Sequence, residues 1–311
     1  MTSVTLWIDR PDCLQVLCDK WRSGIISEDL AAKLAFFIQN GFVILREAVP
    51  QTETAKIRAD IDRFWSNPDP GALCETYELE SSDGPRNVRP QGDLKRGSST
   101  LLDYYAFSRR LRRAMSSPQL MEFLWAVFEE QPKAFQSLTF WKASEAPMHR
   151  DTAYVRMPRG PSFMVGTWLA LENVQRGSGE IELLAGSHRY PDYLFGGHSK
   201  WLADGRDELP QFLSWFDGAR DRHRVERFLG SEGDCLIWHA DMVHSGSKIT
   251  KAGVSRQSHV AHYTADSVNP PYMDQGHRAV LSENGLSFTS EFALSGFLDV
   301  EMVPEVSGAC G

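Results

Sequence analysis

Residues 233–244 read Gly233-Asp234-Cys235-Leu236-Ile237-Trp238-His239-Ala240-Asp241-Met242-Val243-His244. A Gly-Asp turn signal opens the apolar run Cys235 to Trp238, which is too short for a helix and reads as a strand. Similar short runs recur through the second half of the chain, at Phe135 to Trp141, Phe163 to Leu171, Ile181 to Leu184 and Ser255 to Thr264. Gly177-Ser178-Gly179 and Ala185-Gly186-Ser187 mark turns between them. The first half has another period. Ser27 is placed to cap a helix over Glu28 to Gln39 that ends at Asn40-Gly41, and Phe42-Val43-Ile44-Leu45 follows as a short strand. Ile57, Ile61, Phe64 and Trp65 recur at helical spacing. Ser117-Pro118 reads as the N-cap and N1 of a further helix, with Leu120, Phe123, Leu124 and Val127 on one face. Stripes at that spacing belong to a core. Helices first and many short strands later predict a mainly β fold with flanking helices, a sandwich or jelly roll.

No Pro/Gly/Ser-rich linker divides the 311 residues. The chain therefore reads as a single domain, with a mainly helical part (1–134), a jelly-roll core carrying the site (135–270) and a C-terminal extension (271–311). With 42% hydrophobic residues it can bury a sizeable core. A net charge of −8 gives no general electrostatic reason to bind nucleic acid or an anionic membrane. No apolar run is long enough to span a bilayer. Met1 to Cys13 carries Asp9, Arg10 and Asp12 and no apolar signal core. Cys13, Cys18, Cys74, Cys235 and Cys310 are scattered, odd in number and without a CxxC pair. That argues against a disulfide framework or thiolate zinc site, and for the reducing cytoplasm. Ser81 to Ser99, with Arg86, Arg89, Lys95 and Arg96, is expected to be a solvated loop, a mobile lid being the alternative. Arg109-Arg110-Leu111-Arg112-Arg113 is expected to be a solvated helix face rather than an anion site.

The nine histidines, His149, His188, His198, His223, His239, His244, His259, His262 and His277, all fall in the second half. Imidazole chemistry, if present, is there. An iron(II) ion that must accept a co-substrate and O2 suits two imidazoles and one carboxylate, which leave one face of its octahedron open. A strand presents residues i and i+2 together, so His-x-Asp can supply two of the ligands. The sequence offers His149-Arg150-Asp151 and His239-Ala240-Asp241, the second with His244 close behind. Strand parity chooses between them. Residues 239 and 241 share one face, whereas 244 falls on the other, with Leu236 and Trp238, unless a bulge intervenes. His149 and Asp151 with His244 from a distant strand is the better set, and His239 reads as a partly buried or surface histidine. Downstream, Arg256, Ser258, Val260 and His262 would share a strand face. A guanidinium fork beside a hydroxyl makes a cradle for a carboxylate, which the far end of a metal-bound dicarboxylate needs.

These residues carry a family likeness that runs through most of the chain. Asn40 to Leu45, Met148-His149-Arg150-Asp151-Thr152, Thr167 to Leu171, Gly179 to His188, Gly233 to His239, His244-Ser245-Gly246-Ser247 and Ser255-Arg256 stand in the family's order and spacing. The chain resembles the phytanoyl-CoA dioxygenase family of iron(II)/2-oxoglutarate oxygenases. The resemblance implies a double-stranded β-helix (jelly roll, cupin-like) core, with iron held by His149, Asp151 and His244. It implies that Arg256, helped by Ser258, binds the distal carboxylate of 2-oxoglutarate, and that Trp168 lines the co-substrate pocket. Lys142 and Gln136, on one strand face upstream, are further candidates for that pocket. The implied reaction consumes O2 and 2-oxoglutarate, releases succinate and CO2, and hydroxylates a C–H bond of a small organic metabolite. The basic residues Arg86, Arg89, Lys95, Arg96 and Arg109 point weakly to an anionic one. A carboxylate at 151, where halogenases of this chemistry keep a small residue, argues for hydroxylation. The segment Tyr190 to Arg227 matches no family pattern, so substrate identity does not transfer, and Ala185 replaces the usual proline before Gly-Ser-His. The competing readings are a catalytically inactive jelly-roll binding protein, and a zinc hydrolase using the same ligands, in which Arg256 and Ser258 have no evident role.

Overall fold

The computed structural model describes residues 5–76, 86–91, 99–158, 160, 162–271 and 281–290. Two helices, α1 (Cys13–Arg22) and α2 (Glu28–Asn40), open the chain. The start of α2 is capped as expected, Ser27 Oγ accepting the Leu30 amide at 3.1 Å. It ends at Gly41, whose φ of 78° is the left-handed conformation a residue with a Cβ disfavours. After β1 (Phe42–Leu45) come α3 (Gln51–Ser66), β2 (Cys74–Thr76), β3 (Arg86–Val88), β4 (Thr100–Leu102), α4 (Arg109–Met115) and α5 (Pro118–Phe128). Pro118 does occupy the first turn of α5, but Ser117 makes no side-chain cap.

The expected strands form as β5 (Pro132–Phe140), β6 (Val165–Ala170), β7 (Ile181–Leu184), β9 (Cys235–His239) and β11 (Ser258–Ala265). Between β7 and β9 lie α6 (Leu209–Trp215), α7 (Asp217–Arg220) and β8 (Val225–Arg227), and β10 (His244–Gly246) follows β9. Near the C-terminus, β12 (Leu281–Glu283) pairs with β13 (Leu286–Phe288). The large sheet runs β3-β2-β4-β5-β11-β6-β9-β1, with β13 joined in parallel to β5, and a small sheet runs β10-β7-β8. This is the two-sheet arrangement of a jelly roll.

Strand periodicity decides what each face meets. On β9, Cys235 and Ile237 join Leu34, Phe37, Ile57, Phe123 and Leu124 in the core between the large sheet and the helices. Leu236 and Trp238 point the other way, into a second core with Trp168, Ile181 and Leu183 between the two sheets. The inner face carries the cross-strand row Gln136, His262, Gly166, Trp238. Along β5 the inner residues Gln136, Leu138 and Phe140 are only half-buried, while Ser137 and Thr139 behind them are buried, so the inner face is least filled there.

The first 134 residues are mainly helical and also supply four short strands to the large sheet, and β13 brings residues beyond 271 into it. Strands of three residues are too short to show a period. Arg109 to Arg113 is a solvated face as expected for Arg109, Arg110 and Arg113, but not for Arg112. Arg109 and Arg113 pair with Glu283, and Arg110 with Glu53 and Asp60. Arg112 is buried and donates to the Tyr105 and Ala106 carbonyls. Residues 190–227 form a small apolar cluster of their own around Phe195, Phe212 and Phe216, packed on Ala153, Leu184 and Val243. Most of the 81–99 loop, including Lys95 and Arg96, and most of 271–311, including Cys310, lie outside the described residues. Among the described residues no helix is long and apolar enough to cross a membrane.

Candidate metal centre

His149 and His244 sit opposite each other in an isolated antiparallel bridge, each amide bonded to the other's carbonyl at 2.9 and 3.0 Å. Asp151 is not on a strand as expected. It opens a 3-10 turn, Asp151–Ala153, which still turns its carboxylate back toward both imidazoles. His149 Nε2 lies 3.9 Å and His244 Nε2 3.5 Å from Asp151 Oδ1. Three donors at right angles and about 2.1 Å from one ion would stand roughly 3 Å apart, so the observed spacing needs little adjustment to close on a metal. Among the described residues this is the one group of three such side chains whose ligand atoms converge.

The surroundings prepare those atoms. His149 Nδ1 faces the Pro147 carbonyl at 2.7 Å and His244 Nδ1 faces the Met242 carbonyl at 2.9 Å. A carbonyl only accepts, so both Nδ1 atoms carry protons and both Nε2 lone pairs are free for a metal. Burial, helped by the neighbouring His244, brings His149 down to about 4 and keeps it neutral. Burial opposes charge on Asp151, but the imidazoles of His244, His262 and His149 outweigh it and hold the carboxyl below the usual carboxylate range. Asp151 Oδ2 accepts the Trp238 indole N–H at 2.6 Å. His262 Nε2 is 3.2 Å from the same oxygen without the alignment of a hydrogen bond. Tyr154, exposed, stands edge-on to His149 with ring centroids 5.3 Å apart.

His239 belongs elsewhere. It ends β9 on the helix-facing side, where Nε2 meets Asp9 at 3.0 Å and Nδ1 accepts the Asp241 amide. Asp241 is taken by Lys200, Thr152 and Ser162. The second His-x-Asp is therefore a structural polar cluster. The strand parity used in sequence does not run on unbroken to 244, because a turn at residues 240 and 241 intervenes.

Arg256 is buried just before β11, its guanidinium carbon 5.3 Å from the Trp168 ring centre and 5.7 Å from that of Phe140. One Nη donates to the Gly179 carbonyl, while Nε has no partner, and neither does the buried Ser258 Oγ. No carboxylate lies within salt-bridge distance of Arg256 among the described residues. A buried guanidinium and hydroxyl with open donors fit a carboxylate ligand, so this cradle suits the distal end of 2-oxoglutarate. Gln136 is half-buried beside His262 on the inner face. Lys142 lies two residues past the end of β5, so the strand face it was expected to share with Gln136 stops short of it.

A model of the phytanoyl-CoA dioxygenase (PhyH) family matches residues 37–258. The chain belongs to this family. Membership makes it an oxygenase of the iron(II)/2-oxoglutarate class, and the His-Asp-His set and the cradle lie within or beside the matched region. It is 23% identical to a probable phytanoyl-CoA dioxygenase of Caenorhabditis elegans, over 80% of this chain and 79% of that one. Its fold is similar to that of the epimerase SnoN, crystallised with Fe3+, α-ketoglutarate and nogalamycin RO (TM-score 0.59, 18% identity, 83% of this chain and 98% of that one). It is also similar to EctD from S. alaskensis, crystallised with 2-oxoglutarate and 5-hydroxyectoine (TM-score 0.56, 18% identity, 79% and 78%). At such identities the two structures speak for the jelly roll alone.

Sequence reasoning passed over Trp238, Phe140 and Tyr154. The parity that set Trp238 on the His244 side was a usable signal for the first, and the two rings are 5.2 Å apart.

Proposed function

We propose that this oxygenase hydroxylates a C–H bond of a small organic molecule, with 2-oxoglutarate converted to succinate and CO2. His149, Asp151 and His244 would hold iron(II), and Arg256 with Ser258 the distal carboxylate of 2-oxoglutarate. Trp168 would pack against that carboxylate's partner, and Gln136 is placed to reach the same space. When bound, the iron supplies the O2 activation that no side chain provides. The protein orients the reactants, keeps Nε2 of both histidines unprotonated and lines the inner face with Trp168, Leu236 and Trp238 to limit water. Asp151 as a protein ligand leaves no position for halide, which favours hydroxyl transfer. The observation carrying the reading is the buried Arg256–Ser258 pair with Nε and Oγ unpartnered, Ser258 sharing the inner face of β11 with His262, the neighbour of Asp151.

An anionic substrate finds no support from Arg109, paired with Glu283, or from Arg89, which donates to the Pro70 carbonyl. Phytanoyl-CoA is not carried over as substrate. The four described cysteines are free, which fits a reducing compartment such as the cytoplasm. The test is an anaerobic titration of apoprotein with iron(II) and 2-oxoglutarate, following the visible charge-transfer absorption of chelated 2-oxoglutarate. Asp151→Ala, His244→Ala and Arg256→Ala run beside it. The band should appear in the parent and be lost or weakened in each variant. A folded parent that takes up no iron would overturn the reading in favour of a binding protein.

A further inference from the structure

We propose that Trp238 is the positioning residue that presents Asp151 to the metal through one oxygen only, and that Gly166 lacks a side chain in order to admit its indole. The inference rests on the reading of His149, Asp151 and His244 as the iron ligands.

A carboxylate on a short turn can swing about its last torsion and offer either oxygen, or both. Here the two oxygens are already distinguished. Oδ1 is the one nearest both histidine Nε2 atoms, whereas Oδ2 accepts the indole N–H at 2.6 Å. The indole anchors Oδ2 and so fixes the carboxylate plane with Oδ1 facing the two Nε2 atoms, so that Asp151 would bind through Oδ1 alone. The count of positions gives this weight. A metal that must also accept 2-oxoglutarate and O2 would need the protein to leave positions open, and a chelating Asp151 would occupy one more of them. The same indole lies 5.2 Å, centre to centre, from the His244 ring, so it braces two ligands from one position.

The room for this indole is made across the strand. Gly166 is paired with Trp238 in register. A Cβ at Gly166 would sit 2.3 Å from Cε2 and 2.5 Å from both Cζ2 and Nε1 of Trp238. The backbone at Gly166 has no positive φ, so its conformation does not call for glycine. Glycine inside a strand is destabilising and marks close approach of another group. The close approach here is the indole edge that carries the N–H. Leaving residue 166 without a side chain lets the N–H reach past β6 to Asp151.

The experiment compares the full chain with Trp238→Phe, Gly166→Ala and the double variant. Iron(II) affinity is measured anaerobically by competition with a chromogenic chelator. The visible spectrum of the cobalt(II)-substituted protein reports coordination number, and the melting temperature of each apoprotein reports folding. Trp238→Phe keeps an aromatic ring and deletes the donor. It should lose about 10–100-fold in iron affinity, the usual effect of removing an outer-shell partner, with a changed cobalt spectrum. Gly166→Ala should lose affinity as well, although it touches no ligand. The double variant should be no worse than Trp238→Phe alone, because phenylalanine vacates the space the new methyl needs. Parent-like affinity and spectrum in Trp238→Phe would overturn the inference, as would single losses that multiply in the double variant. A parent without iron affinity would instead overturn the assignment of the metal centre. If Trp238→Phe does not fold, Gly166→Ala decides alone: the cobalt spectrum must change, and an unchanged one overturns the inference.

Discussion

Arg256→Met should make the apoprotein no less stable while sharply weakening 2-oxoglutarate binding, two effects of opposite sense from one substitution. Arg256 is 4% exposed, donates through one Nη to the Gly179 carbonyl and leaves Nε unpartnered. Burial brings its pKa well down from the ordinary guanidinium range, to about 10. At 1.36 kcal/mol per decade, that places roughly 3 kcal/mol against the charged form. Because the folded value is depressed, the cost is present at neutral pH and is relieved only as pH rises through about 10. Methionine removes it and keeps much of the stem volume. Against this gain stand the cation–π contacts with Trp168 and Phe140, about 0.5–2 kcal/mol, and a hydrogen bond of about 1 kcal/mol. The balance lies between zero and about 1.5 kcal/mol in favour of the variant, and each kcal/mol is worth about 2–4 °C in a chain somewhat smaller than this one.

The ligand side goes the other way. Hydrogen bonds from a charged group to a carboxylate contribute about 1.5–3 kcal/mol. Losing them should raise the dissociation constant of 2-oxoglutarate by roughly 10- to 150-fold, at 1.4 kcal/mol per decade. The assays are thermal melting of the apoprotein and anaerobic titration of the iron-loaded protein. Arg256→Lys, which keeps charge without the fork, should recover only part of the affinity. A variant that melts well below the parent yet binds 2-oxoglutarate unchanged would show that Arg256 serves the fold, and the cradle argument would fail.

Three further outcomes follow from the structure. His149→Ala should abolish iron binding while His239→Ala leaves it intact in the folded protein, as metal analysis would show; the reverse result would move the site to the second His-x-Asp. His239 is held above its ordinary value, since burial opposes its charge but Asp9 and Asp241 outweigh it. A raised folded value means that the pair's contribution is fully present below the unfolded histidine pKa of about 6.5 and is lost as pH rises through the folded value. Asp9→Asn should therefore lower the melting temperature at acidic pH and flatten its decline toward alkaline pH, and parallel curves for variant and parent would contradict this. Arg112→Ala should cost about 1–3 kcal/mol in denaturant unfolding, the scale of leaving buried carbonyls without their donor, and a loss below about 0.5 kcal/mol would show that its carbonyl contacts are idle.

The site was legible where the chemistry imposes a period. His149 and Asp151 two residues apart, His244 from a distant strand, and Arg256 with Ser258 two positions on each stay together in the fold, although Asp151 sits on a turn and Arg256 just before β11 rather than on a strand. What the sequence hides is of another kind. Strands β2, β3 and β4 have three residues each and exist through their neighbours rather than through any pattern of their own. Arg112 looks like its exposed companions in a basic run, and only the carbonyls of Tyr105 and Ala106 set it apart.

Gly166 shows the limit most clearly. In sequence it is a glycine inside the apolar run Phe163 to Leu171, which suggests a bulge or a weak strand. Its role depends on a register partner 72 positions away, and a shift of one residue would turn Trp238 out of the inner face altogether. Local spacing joins His149 and Asp151, whereas the Trp238 indole that engages Asp151 is placed by pairing between distant strands. On the proposed reading, substitutions that preserve His149, Asp151 and His244 should still weaken the centre, and Gly166→Ala, whose single added methyl meets the Trp238 indole from a strand that bears none of the three, is the sharpest test of it.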